Sequence, residues 1–282
     1  MNYIGFDVGA SSVKSVLVKN KEIIKTVLRP TSLTWEDLLI LFEEIFKELT
    51  SESVEISGIG FAFAGMLDKE REKMLVSPNI KYLDNRPLRA LLEEKFRSYD
   101  IKIEHDAHCF LLAEKELGLA KDLSDVFYLT LGSGVGGAWM VDGKIIIGSH
   151  GSAGEIAHTI SNFDNLTEFE KLASNKFIEG VLGEGLSEAG TLAISDNKKV
   201  QEAFEGLGKN LGIGIANIIN IFDPQAVIIS GGIAEAKEFI LPGILEGVEK
   251  FVSSPAAKET KILFSELGRF GGALGAALMF KG

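Results

Sequence analysis

A unit of strand, small-residue turn, strand and tight turn occurs twice in this chain, in the same order. In the first copy the small-residue turn lies in Asp7–Lys14, and Asn20-Lys21 forms the tight turn. In the second copy, which runs from Val126 to Ile147, the corresponding turns are Gly132–Gly137 and Asp142-Gly143. Internal similarity of this kind indicates a duplication. The chain is therefore expected to fold into two related halves.

Strand-like and helix-like segments alternate between and after the two copies. Thr34–Leu49 has apolar residues at helical spacing, with Thr34 as a candidate N-cap. The further expected helices are Leu88–Phe96, Cys109–Leu117, Glu168–Gly190, Val200–Phe222, one from Ala234 and Gly271–Met279, and the further expected strands are Ile56–Phe63, Ile101–Glu104, Ala226–Ile229 and Ile262–Phe264. The alternation predicts an α/β chain. We expect an N-terminal lobe of residues 1–117, completed by the C-terminal helix 270–282, and a C-terminal lobe of residues 118–269.

The expected helix Val200–Phe222 contains four glycines, at positions 206, 208, 212 and 214. Each glycine inside a helix costs roughly 1 kcal/mol relative to alanine. Four of them in one helix indicate close packing against another backbone or a ligand.

The composition limits what the protein can bind. With 282 residues, 46% of them hydrophobic, the chain can bury well-formed cores in one large or two medium domains. The formal charge of −11 and the pI near 5.0 argue against binding nucleic acid or an anionic membrane through a general positive field. An anionic ligand must therefore be held by local groups.

Cysteine usage and the N-terminal sequence suggest the compartment. Cys109 is the single cysteine, which excludes an internal disulfide and a multi-cysteine zinc ribbon and fits a reducing cytoplasm. The first residues lack the basic region and long apolar core of a signal peptide. Apolar windows such as Ile213–Phe222 are shorter than the roughly 20 residues that cross a bilayer. We expect a cytoplasmic protein that binds neither membrane nor nucleic acid, with a homodimer left open.

The stretch Leu129–His158 contains a glycine-lined hairpin. An apolar run enters Gly132-Ser133-Gly134-Val135-Gly136-Gly137, and Asp142-Gly143 supplies the positive φ of a tight hairpin turn. Because Ala138–Val141 continue as strand, this is not the Gly-x-Gly turn that opens a helix in dinucleotide-binding folds. Bare N–H groups can still approach phosphate oxygens here. The alternative is a pair of tight turns in an ordinary sheet.

The first small-residue turn combines a carboxylate, hydroxyls and a lysine, which suits a triphosphate with its metal. Asp7 would face Mg²⁺ through water, because Mg²⁺ sheds its hydration shell reluctantly. Gly9, Ser11, Ser12 and Lys14 would face phosphate oxygens. The alternative is a polar hairpin turn with an exposed lysine.

Asp106 ends a predicted strand and begins a helix. It can serve as an N-cap, which needs no ligand. It can also serve as a general base, kept ionised by the helix N-terminus, and both roles are compatible. His105 and His108 have poor spacing for a metal across this junction, so hydrogen-bonded histidines are expected instead.

Three polar residues remain near glycines or at a helix start, namely Glu155, His158 and Glu170. Carboxylates and imidazole accept hydrogen bonds from sugar hydroxyls. The alternative for Glu170 is a solvated helix face beside Lys171.

Four motifs occur together over nearly the whole chain: Asp7-x-Gly9 with Ser11, Ser12 and Lys14; the Gly132–Gly137 hairpin; Gly154-Glu155-x-x-His158; and Ser230-Gly231-Gly232. Together they resemble sugar kinases of the repressor, open reading frame and kinase (ROK) family. The resemblance implies a two-lobed actin-like ATPase fold, a duplicated ribonuclease H-like fold of the hexokinase type, with ATP and sugar in the cleft between the lobes.

The resemblance also assigns roles to residues. It implies that Asp106 is the catalytic base. The implied phosphate contacts are Asp7, Gly9, Ser11, Ser12, Lys14, Gly132, Ser133, Gly134 and Gly136, with Gly231 and Gly232 near the adenosine. The implied sugar contacts are Asn79, His105, Asp106, Glu155, His158 and Glu170.

The chain departs from the family pattern in two places. The family usually has Asn-Asp at the base, whereas this chain has His105-Asp106, which leaves the sugar open. The family often has a zinc site formed by the histidine of Glu-x-x-His and three cysteines, but Thr159–Phe169 is short and contains no cysteine. We therefore expect no zinc site. Repressor members carry an N-terminal helix-turn-helix, whereas this sequence opens with the first strand.

These features predict a kinase that phosphorylates a hexose or hexose derivative with ATP and Mg²⁺. A sugar-responsive regulatory protein of the same fold is one alternative; Asp106 argues against it and His105 keeps it open. An actin-like ATPase that needs no sugar is a second, which Glu155, His158 and Glu170 disfavour.

Overall fold

The computed structural model describes residues 1–50, 54–183 and 197–280. The chain forms two compact units, the first of Met1–Lys121, Ile145–Ala153 and Leu267–Gly282, the second of Asp122–Lys144 and Gly154–Glu266. The sequence-based lobes, 1–117 with 270–282 and 118–269, stay a prediction. They did not assign Ile145–Ala153 to the first half.

The elements of the described residues follow the predicted alternation. The strands are β1 Asn2–Val8, β2 Ser12–Lys19, β3 Glu22–Pro30, β4 Gly58–Phe63, β5 Met66–Leu67, β6 Met74–Val76, β7 Asp100–His105, β8 Val126–Leu131, β9 Val135–Val141, β10 Lys144–Ile145, β11 Ile160–Asn162, β12 Thr167–Glu168, β13 Ala226–Ser230 and β14 Lys261–Phe264. The α-helices are α1 Trp35–Leu49, α2 Leu88–Lys95, α3 Asp106–Leu117, α4 Phe169–Ala173, α5 Asn175–Leu182, α6 Lys198–Phe222, α7 Lys237–Phe251 and α8 Gly271–Leu278.

The sheet of the first unit has the strand order β3-β2-β1-β4-β7. Strand β2 is antiparallel to both β1 and β3, whereas β1, β4 and β7 run parallel to one another. The register aligns Asp7 with Ala62, and Ala62 with Glu104. Parallel strands end at the same edge of a sheet. Asp7 and the β7–α3 junction, where Asp106 lies, therefore meet at one edge.

The sheet of the second unit repeats this pattern with the order β10-β9-β8-β13-β14. Strands β8 and β9 form the antiparallel pair, and β8, β13 and β14 are parallel. The duplication predicted from the sequence is thus present in the strand order.

Helix packing relies on glycine in both units. In the first unit, a Cβ on Gly5 or Gly60 would collide with backbone carbonyls of α8. In the second, a Cβ on Gly212 would lie 2.5 Å from the Gly243 oxygen in α7, and one on Gly208 would collide with Ile240. The predicted close backbone packing of α6 is confirmed at Gly208 and Gly212. Gly206 and Gly214 of the same helix face aromatic rings of α5 and α4 instead.

Helix boundaries confirm some predictions and correct others. Thr34 caps α1, its side chain accepting from Asp37 N–H at 3.2 Å. Asp106 is not an N-cap: α3 begins at Asp106, and His105 has the extended backbone of the cap residue. The helix predicted from Ala234 begins three residues later, at Lys237 of α7, because Gly232–Ala236 form a 3₁₀ turn.

The predicted helix Glu168–Gly190 is divided in the structure. The extended backbone of Ser174, with φ −125° and ψ −178°, separates α4 from α5, and the Ser174 side chain caps α5. Residues 184–190 of that prediction lie outside the described residues. None of the described helices has both the length and the apolar character needed to cross a membrane.

Candidate active site

In the first unit, the buried Asp7 and the half-buried Lys14 form an ion pair at the end of the β1–β2 hairpin. The two residues are register partners, and Lys14 Nζ lies 3.2 Å from Asp7 Oδ2. Asp7 is 3% exposed, and a Cβ on Gly272 of α8 would lie 2.9 Å from its Cγ. Burial raises the pKa of Asp7 to about 6, aided by the charge of Asp106 and opposed by Lys14. Lys14 does not fully offset the cost of burial, so a further cation such as Mg²⁺ would stabilise the ionised carboxylate.

The turn between these strands is held by its own backbone and by the segment after β3. Gly9 N–H donates to the Ser12 oxygen at 3.1 Å, and Thr31 Oγ1 donates to the Gly9 oxygen at 2.6 Å. Thr31 N–H donates to the Ser11 oxygen at 3.2 Å. These hydrogen bonds fix the turn within the protein, and Ser11 at its tip is exposed. Thr31 was not predicted, because its sequence position gives no sign of this contact.

Asp106 lies at the first residue of α3 with one carboxylate oxygen fixed. Asp106 Oδ1 accepts from Ala107 N–H at 2.8 Å and lies 3.3 Å from His105 Nδ1. A helix N-terminus stabilises an adjacent anion. With Oδ1 fixed in this way, Oδ2 is the oxygen that can accept a proton, as a general base must.

A cluster that the sequence analysis did not identify lies beside Asp106. Glu104 Oε1 accepts from Arg71 Nε at 2.7 Å and from His105 N–H at 2.8 Å, and lies 3.1 Å from His108 Nδ1. His108 is buried and hydrogen-bonded, as expected. Among the described residues, no three His, Cys, Asp or Glu side chains are grouped to hold a metal ion.

Asn79 is exposed on a loop of the first unit that is held by Ser77. Ser77 Oγ donates to the Ala64 oxygen at 3.1 Å, and Ser77 N–H donates to Asp84 Oδ1 at 2.6 Å. The loop therefore has a fixed base, whereas a sugar contact by Asn79 stays a prediction.

In the second unit, the glycine hairpin is anchored to α4 and α5. Glu170 Oε2 accepts from Val135 N–H at 3.2 Å, and Glu170 Oε1 pairs with Lys176 at 2.5 Å. Asn175 N–H donates to the Gly132 oxygen at 2.8 Å. Glu170 is therefore not on a solvated helix face. It fixes the hairpin directly, and Lys176 is a neighbour that the sequence analysis missed.

Two further glycine motifs lie against this hairpin. Gly231 has φ +89°, and a Cβ there would collide with the Leu131 oxygen just before Gly132. Gly154 has φ +96° and contacts the backbone of Gly137. The structure thus brings Gly231 and Gly232 next to the start of the hairpin, and the segment carrying Glu155 next to its end.

His158 is exposed and faces a carboxylate. Its Nδ1 lies 3.4 Å from Glu168 Oε1, across the short β11–β12 pair. The segment that lacks cysteines therefore provides a carboxylate partner for this histidine.

The predicted residues form one set within each unit. Asp7, Gly9, Ser11, Ser12, Lys14, Asn79, His105 and Asp106 belong to the first unit, and Gly132, Ser133, Gly134, Gly136, Glu155, His158, Glu170, Gly231 and Gly232 to the second. The first set contains the ion pair and the base, and the second contains the anchored hairpin.

The fold matches solved structures of actin-like ATPases. A ROK family glucokinase from Streptomyces griseus, in complex with glucose and AMPPNP, superposes with a TM-score of 0.86 at 24% identity, covering 98% of each chain. A ROK hexokinase from Thermus thermophilus gives 0.80 at 26% identity, covering 99% of this chain and 97% of that one. The chain belongs to the ROK family, whose sequence profile matches residues 3–282.

Sequence relatives include both enzymes and regulators. An uncharacterized protein from Clostridium perfringens is 30% identical over 98% of this chain and 96% of its own length. A xylose repressor from Caldicellulosiruptor bescii is 30% identical over 76% of this chain and 59% of its own. The glucokinase of Thermotoga maritima is 27% identical over 100% and 98%. Family membership is therefore compatible with either activity.

Proposed function

We propose that this protein transfers the γ-phosphoryl group of ATP to a hydroxyl of a hexose or hexose derivative. The observation that carries the proposal is the position of Asp106, at a helix N-terminus with Oδ1 fixed by Ala107 N–H at 2.8 Å. The same sheet edge holds the Asp7–Lys14 pair. A fixed carboxylate at the same sheet edge as a buried carboxylate and its lysine partner suits a kinase that binds Mg²⁺ and a triphosphate.

In the proposed reaction, Asp106 removes the proton from the acceptor hydroxyl while that oxygen attacks the γ-phosphorus, and ADP leaves. Lys14 and the N–H groups of the Gly9–Ser12 turn and the Gly132–Gly137 hairpin bind phosphate oxygens. Asp7 would help to hold Mg²⁺, which would supply positive charge to offset that of the phosphates.

The proposed sugar contacts are Asn79, His105, Glu155, His158 and Glu170. Glu170 already binds Val135 N–H and Lys176. An ionised carboxylate has about four lone-pair sites, so it can keep these contacts and still accept from a sugar hydroxyl. We also propose a cytoplasmic location.

The test is ADP release with Mg²⁺ and ATP across a panel of sugars. We expect release to depend on sugar, and Asp106→Asn to lower kcat by at least about 10²- to 10⁴-fold, with ATP binding retained. Asp100→Asn, at the opposite end of β7, is the control and should keep full activity. An Asp106→Asn variant within a few-fold of wild type would remove Asp106 from catalysis, and sugar-independent release would favour a simple ATPase.

The second candidate function is a sugar-responsive regulator that has lost turnover. The xylose repressor relatives and the replacement of the family's usual asparagine by His105 favour it. Calorimetry distinguishes the two: a regulator would bind a sugar in the presence of ATP and Mg²⁺ without producing ADP, whereas a kinase would turn over.

A further inference from the structure

The Glu104 cluster comprises Glu104, Arg71, His108 and the N–H of His105, all within the first unit. Arg71 Nε, the backbone nitrogen of His105 and His108 Nδ1 lie 2.7, 2.8 and 3.1 Å from the single oxygen Oε1 of Glu104. An ionised carboxylate only accepts hydrogen bonds, so His108 carries a proton on Nδ1. Arg71 and His108 are buried, and the Glu104 side chain is 21% exposed.

The cluster holds Glu104 ionised. Burial raises the pKa of Glu104, but the His108 hydrogen bond and the nearby charges of His108 and Arg71 outweigh it, so the pKa lies below its usual value. Hydrogen bonds to a charged group in a partly buried setting are short and strong. The Glu104 carboxylate is therefore held in one position by its three neighbours.

The Glu104 cluster includes residues on both sides of Asp106 in the chain, Glu104 and His105 before it and His108 after it. The hydrogen bond to His105 N–H fixes the Glu104–His105 peptide, one residue before the peptide that joins His105 to Asp106. His108 lies in the first turn of α3, two residues after Asp106. The rings of His105 and His108 meet edge to face, with centroids 5.4 Å apart. The cluster thus constrains both sides of the proposed base and the ring that is proposed to contact the sugar.

Arg71 connects the cluster to two other segments of the unit. Its Nη1 donates to the Asp68 oxygen at 2.9 Å and to the Gly151 oxygen at 3.4 Å. Arg71 also has φ +60°, which is unfavourable for a residue with a side chain. Such strain persists where surrounding contacts determine the conformation, and it is concentrated near functional sites.

We propose that Arg71 and His108 are positioning residues that act through Glu104 to set the orientation of Asp106 and of the His105 ring. The proposal rests on the proposed kinase function. Neither residue needs to touch substrate, so their loss should change kcat and sugar preference, with the KM for ATP unaffected.

The main variant is Arg71→Met, which keeps the length and removes the guanidinium. A displacement of about 1 Å at a reacting group can cost about 100-fold in rate, so we expect kcat to fall by roughly 10- to 100-fold. Arg71→Lys keeps the charge without the forked donors and should recover part of the loss.

Arg89→Met is the matched control. Arg89 also pairs with a glutamate, Glu72 at 2.7 Å, and also binds β7, at the Ile101 oxygen at 3.1 Å. It acts at the end of β7 remote from Asp106. We expect a comparable loss in melting temperature with kcat unchanged. If Arg71→Met and Arg89→Met lower kcat equally at equal loss of melting temperature, the cluster serves only the fold and the proposal is wrong.

A second readout does not require activity. The chain has four histidines, so nitrogen-15 spectra of the imidazoles can report each tautomer. Wild type should show His108 protonated at Nδ1, and Arg71→Met should shift the His105 and His108 signals. Unchanged signals would overturn the proposal, whereas an inactive wild type with the expected shifts would refute only the kinase function. Should Arg71→Met fail to fold, His108→Phe removes one donor and retains a ring, and kcat, the KM for ATP and the His105 signal can be measured in that variant.

Discussion

At the scale of single residues, burial of the ionised Asp7 carboxylate is costly. Its pKa is about 6 in the folded protein, against 3.8 for an ordinary aspartate. This difference in pKa corresponds to a loss of roughly 3 kcal/mol in the free energy of unfolding when Asp7 is ionised. Because the folded-state pKa is raised, this group's favourable contribution to stability is complete below about pH 4 and is lost as pH rises through about 6.

We therefore predict that Asp7→Asn becomes more stable relative to wild type as pH rises from 5 to 7.5. An amide has no charge to bury, so the variant lacks the pH-dependent loss. Thermal unfolding without Mg²⁺ and nucleotide measures the difference in melting temperature between the variant and wild type at each pH. Asp122→Asn, on the surface, is the control. A difference in melting temperature that does not change with pH would contradict the prediction.

His105 combines a structural and a chemical role. Its Nδ1 lies 3.3 Å from Ala107 N–H, where it caps α3. Asparagine is also a good N-cap, so His105→Asn should preserve the helix while changing the group presented to a sugar.

We predict that His105→Asn reorders sugar preference. Loss of one well-placed hydrogen bond costs roughly 1 to 3 kcal/mol, or about 5- to 150-fold in kcat/KM. The measurement compares glucose, other hexoses, N-acetylamino sugars and polyols in both proteins at matched melting temperature. If wild type prefers glucose and the ranking is unchanged in the variant, position 105 does not determine specificity.

At the scale of elements, the crossing of α6 and α7 depends on missing side chains. A Cβ at position 212 would lie 2.5 Å from the Gly243 oxygen and 3.1 Å from the Gly247 Cα. Neither neighbour is a flexible side chain that can move away.

We predict that Gly212→Ala destabilises the protein by about 1 to 3 kcal/mol, because overpacking exceeds the gain in helix propensity. Gly180→Ala in α5 is the control, since its Cβ would have no neighbour within 4 Å. It should stabilise the protein by up to about 1 kcal/mol. Urea unfolding gives both free energies, and equal signs for the two variants would refute the packing argument.

The elements also show where sequence reasoning succeeds and where it ends. Periodicity located α1 with its cap at Thr34, because helix signals are local. It could not place Glu104 with Arg71, which lies 33 positions earlier in an irregular turn. It also read Glu168–Gly190 as one helix, because the break at Ser174 arises where α5 meets the Gly132 carbonyl. Contacts between residues far apart in the chain produce no periodic pattern of apolar residues, so they cannot be predicted from the sequence in this way.

At the scale of the whole molecule, the strand order of the first sheet is repeated in the second, and the β1–β2 turn corresponds to the β8–β9 turn. In the first unit this turn lies beside Asp7 and Lys14. In the second it belongs to the hairpin fixed by Glu170. Duplication therefore produced two turns of similar position and different chemistry, one charged and one built from backbone N–H groups.

We predict that the purified protein holds no structural zinc. Its one cysteine, Cys109, is buried in the first unit, and burial raises the pKa of its thiol well above the usual value. His158 faces the carboxylate of Glu168 at 3.4 Å, a partner that orients an imidazole without a metal. Elemental analysis after dialysis against a chelator should find far less than one zinc per chain. About one retained zinc, lost together with sugar binding in His158→Gln, would show that a metal orients this histidine.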